Sequence, residues 1–134
     1  MGRPFIKSSI ALLLFAAAIC GKADAAPLNY TVLKLKNGWA SYGNLARDPA
    51  AAVDSNDIVH LKGAMYEATG NNPVVFILPA KFRPNNYVYV PVNLLDSATG
   101  RLAIFPDGSV YIVAANPSDA QTFTSLEGVT YPRN

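Results

Sequence analysis

Residues 57–65 read DIVHLKGAM, and the alternation inside them decides the fold class. Val59, Leu61 and Met65 fall on one side of a period of two, His60 and Lys62 on the other. Successive side chains of a strand point to opposite faces, so the stretch reads as a strand with one face on a core. Gly63 stands among the inward positions. A missing side chain there marks a bulge or the close approach of another strand. The neighbouring segments can all be arranged as its partners, which makes the reading an antiparallel β domain.

Upstream, Leu28 to Lys36 is an extended stretch closed by the turn dipeptide Asn37-Gly38, and Trp39 to Tyr42 is a short aromatic strand. Gly43 to Asn56, with Asp48-Pro49, an alanine run and Asp54-Ser55-Asn56, has no period and is expected to be a long loop. Downstream, Val74 to Leu78 is apolar throughout and reads as a strand covered on both faces. Tyr87 to Leu95 alternates valines against tyrosines, and Pro91 within it argues for an edge or a bulge.

Arg101 to Val113 is the clearest hairpin, turning at Asp107-Gly108. A two-residue loop would set Phe105 opposite Val110 and Ile104 opposite Tyr111. One face would then carry Ala103, Phe105, Val110 and Ile112, the other Leu102, Ile104, Tyr111 and Val113. Asn116 to Asp119 reads as a turn and Gln121 to Tyr131 as the last strand. Short strands about ten residues apart, with polar turns between them, predict an all-β sandwich, jelly roll or barrel.

The N-terminus stands apart. Arg3 and Lys7 precede the apolar run Ile10 to Ile19, and Ala23-Asp24-Ala25 offers small residues at a cleavage spacing. Residues 1–25 therefore read as a signal peptide, with a single domain at 26–134 and a secreted or periplasmic destination. The competing reading, a lipoprotein signal acylated at Cys20, puts Ile19 just before the cysteine, a poor residue there. Of 11 basic and 9 acidic residues, Arg3, Lys7, Lys22 and Asp24 leave with the signal, so eight of each remain. A neutral domain argues against nucleic acid or an anionic membrane surface as the main partner, and no membrane insertion is expected after cleavage. Cys20, the single cysteine, leaves too, and packing rather than a disulfide must hold the exported domain.

Residues for chemistry are scarce. His60 is the single histidine and reads as a face residue that is solvated or hydrogen-bonded. No zinc pattern, phosphate-cradling loop or nucleophile elbow is present, so no cofactor, metal or catalytic set is implied. Asp54, Asn56 and Asp57 read as an Asx-rich turn. A hydrolase would need a carboxylate pair among Asp54, Asp57 and Glu67, and no spacing identifies one. Aromatic rings offer stacking area at low entropic cost, and an arginine fork can hold hydroxyls or carboxylates. Trp39, Tyr42 and Arg47 are accordingly the candidate ligand-binding residues.

Five segments in order, NGWASYG (37–43), IVHLKGAM (58–65), FILPAKFRP (76–84), LAIFPDGSV (102–110) and FTSLEGVTY (123–131), resemble the C-terminal head domain of bacteriophage tail-fibre and minor tail proteins. The resemblance implies an antiparallel jelly-roll β-sandwich similar to the complement and tumour-necrosis-factor heads, a homotrimer, and contact with a host surface. It carries over no binding residue, because receptor contacts in such heads lie in variable loops. Lys81-Phe82 stands where the pattern often has glycine, and a signal precedes the head in place of a shaft. The expectation is a non-enzymatic exported binding module whose ligand is a surface glycan or a cell-envelope component. The alternative is an assembly domain that trimerises without a small ligand. The outer faces of some of the strands above would line the trimer axis.

Overall fold

The structure, a computed structural model, describes residues 26–43 and 45–134; the expected signal lies outside them. In chain order the strands are β1 (Thr31–Val32), β2 (Trp39–Ser41), β3 (Ala50–Val53), β4 (Ile58–Lys62), β5 (Ala64–Glu67) and β6 (Val74–Ile77). They continue with β7 (Val88–Asn93), β8 (Thr99–Ile104), β9 (Ser109–Val113), β10 (Thr124–Ser125) and β11 (Thr130–Pro132). Among the described residues one short α-helix, α1 (Pro117–Thr122), lies between β9 and β10. The strands form three antiparallel sheets, ordered β1-β3-β4-β11, β10-β5-β2 and β6-β9-β8-β7. A single hydrophobic cluster draws on all three. This is the antiparallel all-β sandwich expected from the sequence.

The organising stretch divides at Gly63. β4 pairs with β3 and β11, whereas β5 pairs with β2 and β10, so the chain changes sheets within two residues. Gly63 makes the corner at φ +99°, and a Cβ there would lie 2.4 Å from the Asp48 carbonyl oxygen. Only glycine meets both requirements. Val59, Leu61 and Met65 are buried, and His60 and Lys62 are half-buried, as the alternation demands.

Three expectations are corrected. The long loop contains β3, whose Ala50, Ala51 and Ala52 are buried between β1 and β4. Alanine has low strand propensity, and its pairing comes from the neighbours. The last segment is not one strand. Asn116 caps α1 by accepting the Ser118 N–H, Pro117 starts the helix, and β10 and β11 follow. Third, β6 is an edge strand with a bulge between Val74 and Phe76. Its Ile77 side is exposed rather than covered.

The hairpin register also differs. Gly108 N–H donates to the Phe105 carbonyl at 2.9 Å and Phe105 N–H to the Ser109 carbonyl at 3.0 Å, with Gly108 at φ +94°. Pro106-Asp107-Gly108 is thus a three-residue loop ending on a left-handed glycine, not a two-residue turn. Ile104 faces Val110 and Ala103 faces Tyr111. A slip of one residue exchanges faces. The core face becomes Leu102, Ile104, Val110 and Ile112, all buried. The outer face becomes Arg101, Ala103, Tyr111 and Val113, with Phe105 beyond the strand end. Pro91 sits on β7, the opposite edge of that sheet, as its missing N–H requires.

Candidate functional site

A cleft of about 260 Å³ opens at one end of the sandwich. Trp39 at the start of β2 and Glu67 at the end of β5 stand opposite each other in register and form one wall. The turn at Asn71 and Pro73, the end of β9 and helix α1 complete the lining. The floor is apolar, with Ile112, Ala114, Pro117 and Ala120. The capped first turn of α1 and its buried Ala120 hold the helix against this end.

Polar groups at the cleft are held by the turn that follows β5. Glu67 Oε1 accepts the Asn72 N–H at 2.7 Å, and the Asn72 carbonyl accepts Trp39 Nε1–H at 2.8 Å. Glu67 Oε2 and the side-chain amides of Asn71 and Gln121 have no hydrogen-bond partner among the described residues. A carboxylate fixed at one oxygen and free at the other, with two amides in the same lining, lets an otherwise apolar bowl both accept and donate.

Trp39, Tyr42 and Arg47 are not brought together. Trp39 is 5% exposed, a core side chain whose edge reaches the cleft. Tyr42, 43% exposed, belongs to the other face of the β10-β5-β2 sheet. Its ring packs edge-on against Phe123 at 4.9 Å and Tyr66 at 6.2 Å. Arg47 is engaged by Glu127 through two hydrogen bonds, Nε to Oε1 at 2.8 Å and Nη2 to Oε2 at 2.7 Å. That bond to Arg47 holds the Glu127 carboxyl below its ordinary value, against the opposing effect of burial. Glu127 Oε1 also accepts the Gly63 N–H at 3.1 Å, so the pair ties the loop before β3 to the sheet-changing corner.

The remaining polar residues have structural partners. Asp54 Oδ1 accepts the N–H groups of Asn56 and Ile58, and its Oδ2 lies 2.8 Å from His60 Nε2. The Asx turn expected here is present, with His60 hydrogen-bonded to its first residue. The His60 bond, then the Ile58 N–H, lowers the Asp54 carboxyl below the usual range. Asp57 is bound by Arg133 and Asn134. Among the described residues no group of three or more His, Cys, Asp or Glu could hold a metal ion.

A second surface lies on the outer face of the β6-β9-β8-β7 sheet. Tyr87 and Tyr89 are 65% and 58% exposed. Tyr87 packs edge-on against Phe105 at 4.9 Å, Phe105 lies 5.1 Å from Tyr111, and the Arg101 guanidinium lies 5.2 Å from the Tyr89 ring centre. Ala103 sits opposite both Tyr89 and Tyr111. An aromatic strip is thus turned to solvent beside the strand that carries Val113.

Cleft residues other than Trp39 left little mark in the sequence. Glu67, Asn71 and Gln121 are ordinary turn and surface residues, and only the packing of α1 against the sandwich end brings Gln121 toward the other two. Asn71 lies in a run of glycine, asparagine and proline at 70–73, a signal of a turn and not of a site.

No family model matches the chain, and no curated protein matches it in sequence. Its fold is similar to that in the crystal structure of the receptor-binding protein (gp15) of Listeria phage PSA, with a TM-score of 0.65 and 14% sequence identity. The match covers 98% of this chain and 79% of that one. The chain shares an all-β fold with a phage receptor-binding protein.

Proposed function

We propose that this protein is an exported, non-enzymatic binding module that recognises a surface glycan or another cell-envelope component. The observation that carries the reading is the likeness of the whole sandwich to a phage receptor-binding protein. The ordered motifs of the phage head domain and the signal-like N-terminus favour the same reading. The cleft beside Trp39 supplies a concave surface with a few polar groups on an apolar floor, the usual form of a small-ligand site. A glycan array and a pull-down from cell-envelope preparations test it. Specific retention on either supports the proposal, and uniformly blank results with a multivalent display of the protein overturn it.

The second reading, an assembly domain that forms a homotrimer, is favoured by the aromatic strip of Tyr87, Tyr89, Phe105 and Tyr111. Exposed apolar area of this kind marks association surfaces, and homo-oligomers close by symmetry. In this reading the domain binds no small ligand; trimerisation by itself fits the first reading too, since a trimer would present three copies of the cleft and gain avidity.

A further inference from the structure

The geometry points to a neutral, hydroxyl-bearing ring, the terminal sugar of a glycan, as the occupant of the cleft beside Trp39. This inference rests on the binding-module reading and deepens it by assigning the site and the chemistry it takes.

The size of the cleft sets the first limit. At about 260 Å³ it falls below the roughly 300–1,000 Å³ of pockets for drug-sized ligands. It admits one ring with its substituents and leaves the rest of a chain outside.

Charge sets the second. Among the described lining residues Glu67 alone carries charge, and no cation faces it across the cleft. A phosphate, uronate or sialate would meet a carboxylate without a counter-charge, an arrangement that disfavours binding.

Hydrogen bonding sets the third. Oε1 of Glu67 is committed to the Asn72 N–H, which leaves Oε2 to accept from a ligand. A purely apolar ligand would strip water from Oε2 and from the Asn71 and Gln121 amides without replacing its hydrogen bonds, at a cost for each group. A hydroxyl both donates and accepts, so adjacent hydroxyls satisfy the carboxylate and the amides together. The C–H face of the same ring covers Ile112, Ala114 and Ala120. A pyranose combines an apolar face with a hydroxyl edge.

The chain carries its own reporter, because Trp39 is its single tryptophan and its edge lines the cleft. The experiment titrates the purified chain with the methyl glycosides of glucose, galactose and N-acetylglucosamine, with N-acetylneuraminic acid as the anionic comparison. Tryptophan emission is the readout, and circular dichroism checks that each variant folds.

The expected result is a saturable emission change with at least one neutral glycoside in the millimolar range, and none with the anionic sugar. Glu67→Gln keeps the acceptor for Asn72 and loses the charge. It should weaken binding about tenfold or more, the equivalent of one charged hydrogen bond. Ala114→Phe fills the floor and should abolish the response. A response that survives Ala114→Phe, or equal binding of the anionic sugar, overturns the assignment. Silence with every glycoside from a chain that still binds envelope preparations overturns the cleft assignment alone. Silence in both assays overturns the binding-module reading with it.

Discussion

Ile104 lies directly opposite Val110 across the β8–β9 hairpin, and both side chains are wholly buried. The pairing depends on Gly108 closing the loop at φ +94°, where a Cβ would stand 2.5 Å from Arg83 Nε and 2.7 Å from the Leu78 carbonyl oxygen. Replacing Gly108 with alanine forces a left-handed conformation on an L-residue and a clash with backbone. A stability loss of about 1–3 kcal/mol is expected, read as a lower urea midpoint. An unchanged midpoint would mean that another residue sets the register.

Trp39→Ala should act through folding first. The indole is 5% exposed and its N–H is committed to the Asn72 carbonyl. Removing a buried aromatic of this size costs about 3–5 kcal/mol, a large part of the stability of a small domain. Chemical denaturation of the variant checks this. A Trp39→Ala protein as stable as the parent would show that the ring contributes little to the core.

Acid should weaken the Asp54 turn. The Asp54 carboxyl is held below its ordinary value first by His60 and then by the Ile58 N–H. A depressed folded-state value stabilises the protein above the unfolded value of about 3.9, and that contribution is lost as pH falls through the folded value. The stability difference between the parent and Asp54→Asn should therefore be full at pH 6 and shrink steadily below pH 4. Denaturation midpoints for both proteins at pH 6, 4 and 3 measure it. A difference that does not change over that range would remove the charge from the explanation.

The aromatic strip should govern association. Tyr89 is exposed beside Ala103, and Arg101 already packs on its ring. Light scattering on the purified domain at micromolar concentration should give three times the protomer mass. Tyr89→Glu, which leaves a charge on the same face, should give one protomer with unchanged circular dichroism. A parent protein that remains a stable monomer sinks the trimer, and an associating Tyr89→Glu variant moves the interface elsewhere.

The sequence by itself determined the fold class, most of the strands and several turns, because these are written in local chemistry. Alternation at Val59 and Leu61, proline at position 91 and the Asx residues near Asp54 each constrain the backbone within a few residues. Gly63 announced a special position, although its role as the corner between two sheets depends on Asp48 from a distant loop. Tertiary structure alone decided that Ala50 to Ala52 form a strand, since partners on both sides hold a segment of low intrinsic preference. It decided the hairpin register, because Asp107-Gly108 is compatible with loops of two or three residues, and a shift of one exchanges every face. It also separated the aromatics by fate, burying Trp39, turning Tyr42 to the opposite sheet face and leaving Tyr87 and Tyr89 in solvent. The cleft was least legible of all. Glu67, Asn71 and Gln121 acquire a common purpose only where a hairpin end, a turn and a capped helix meet, and no local pattern records that meeting.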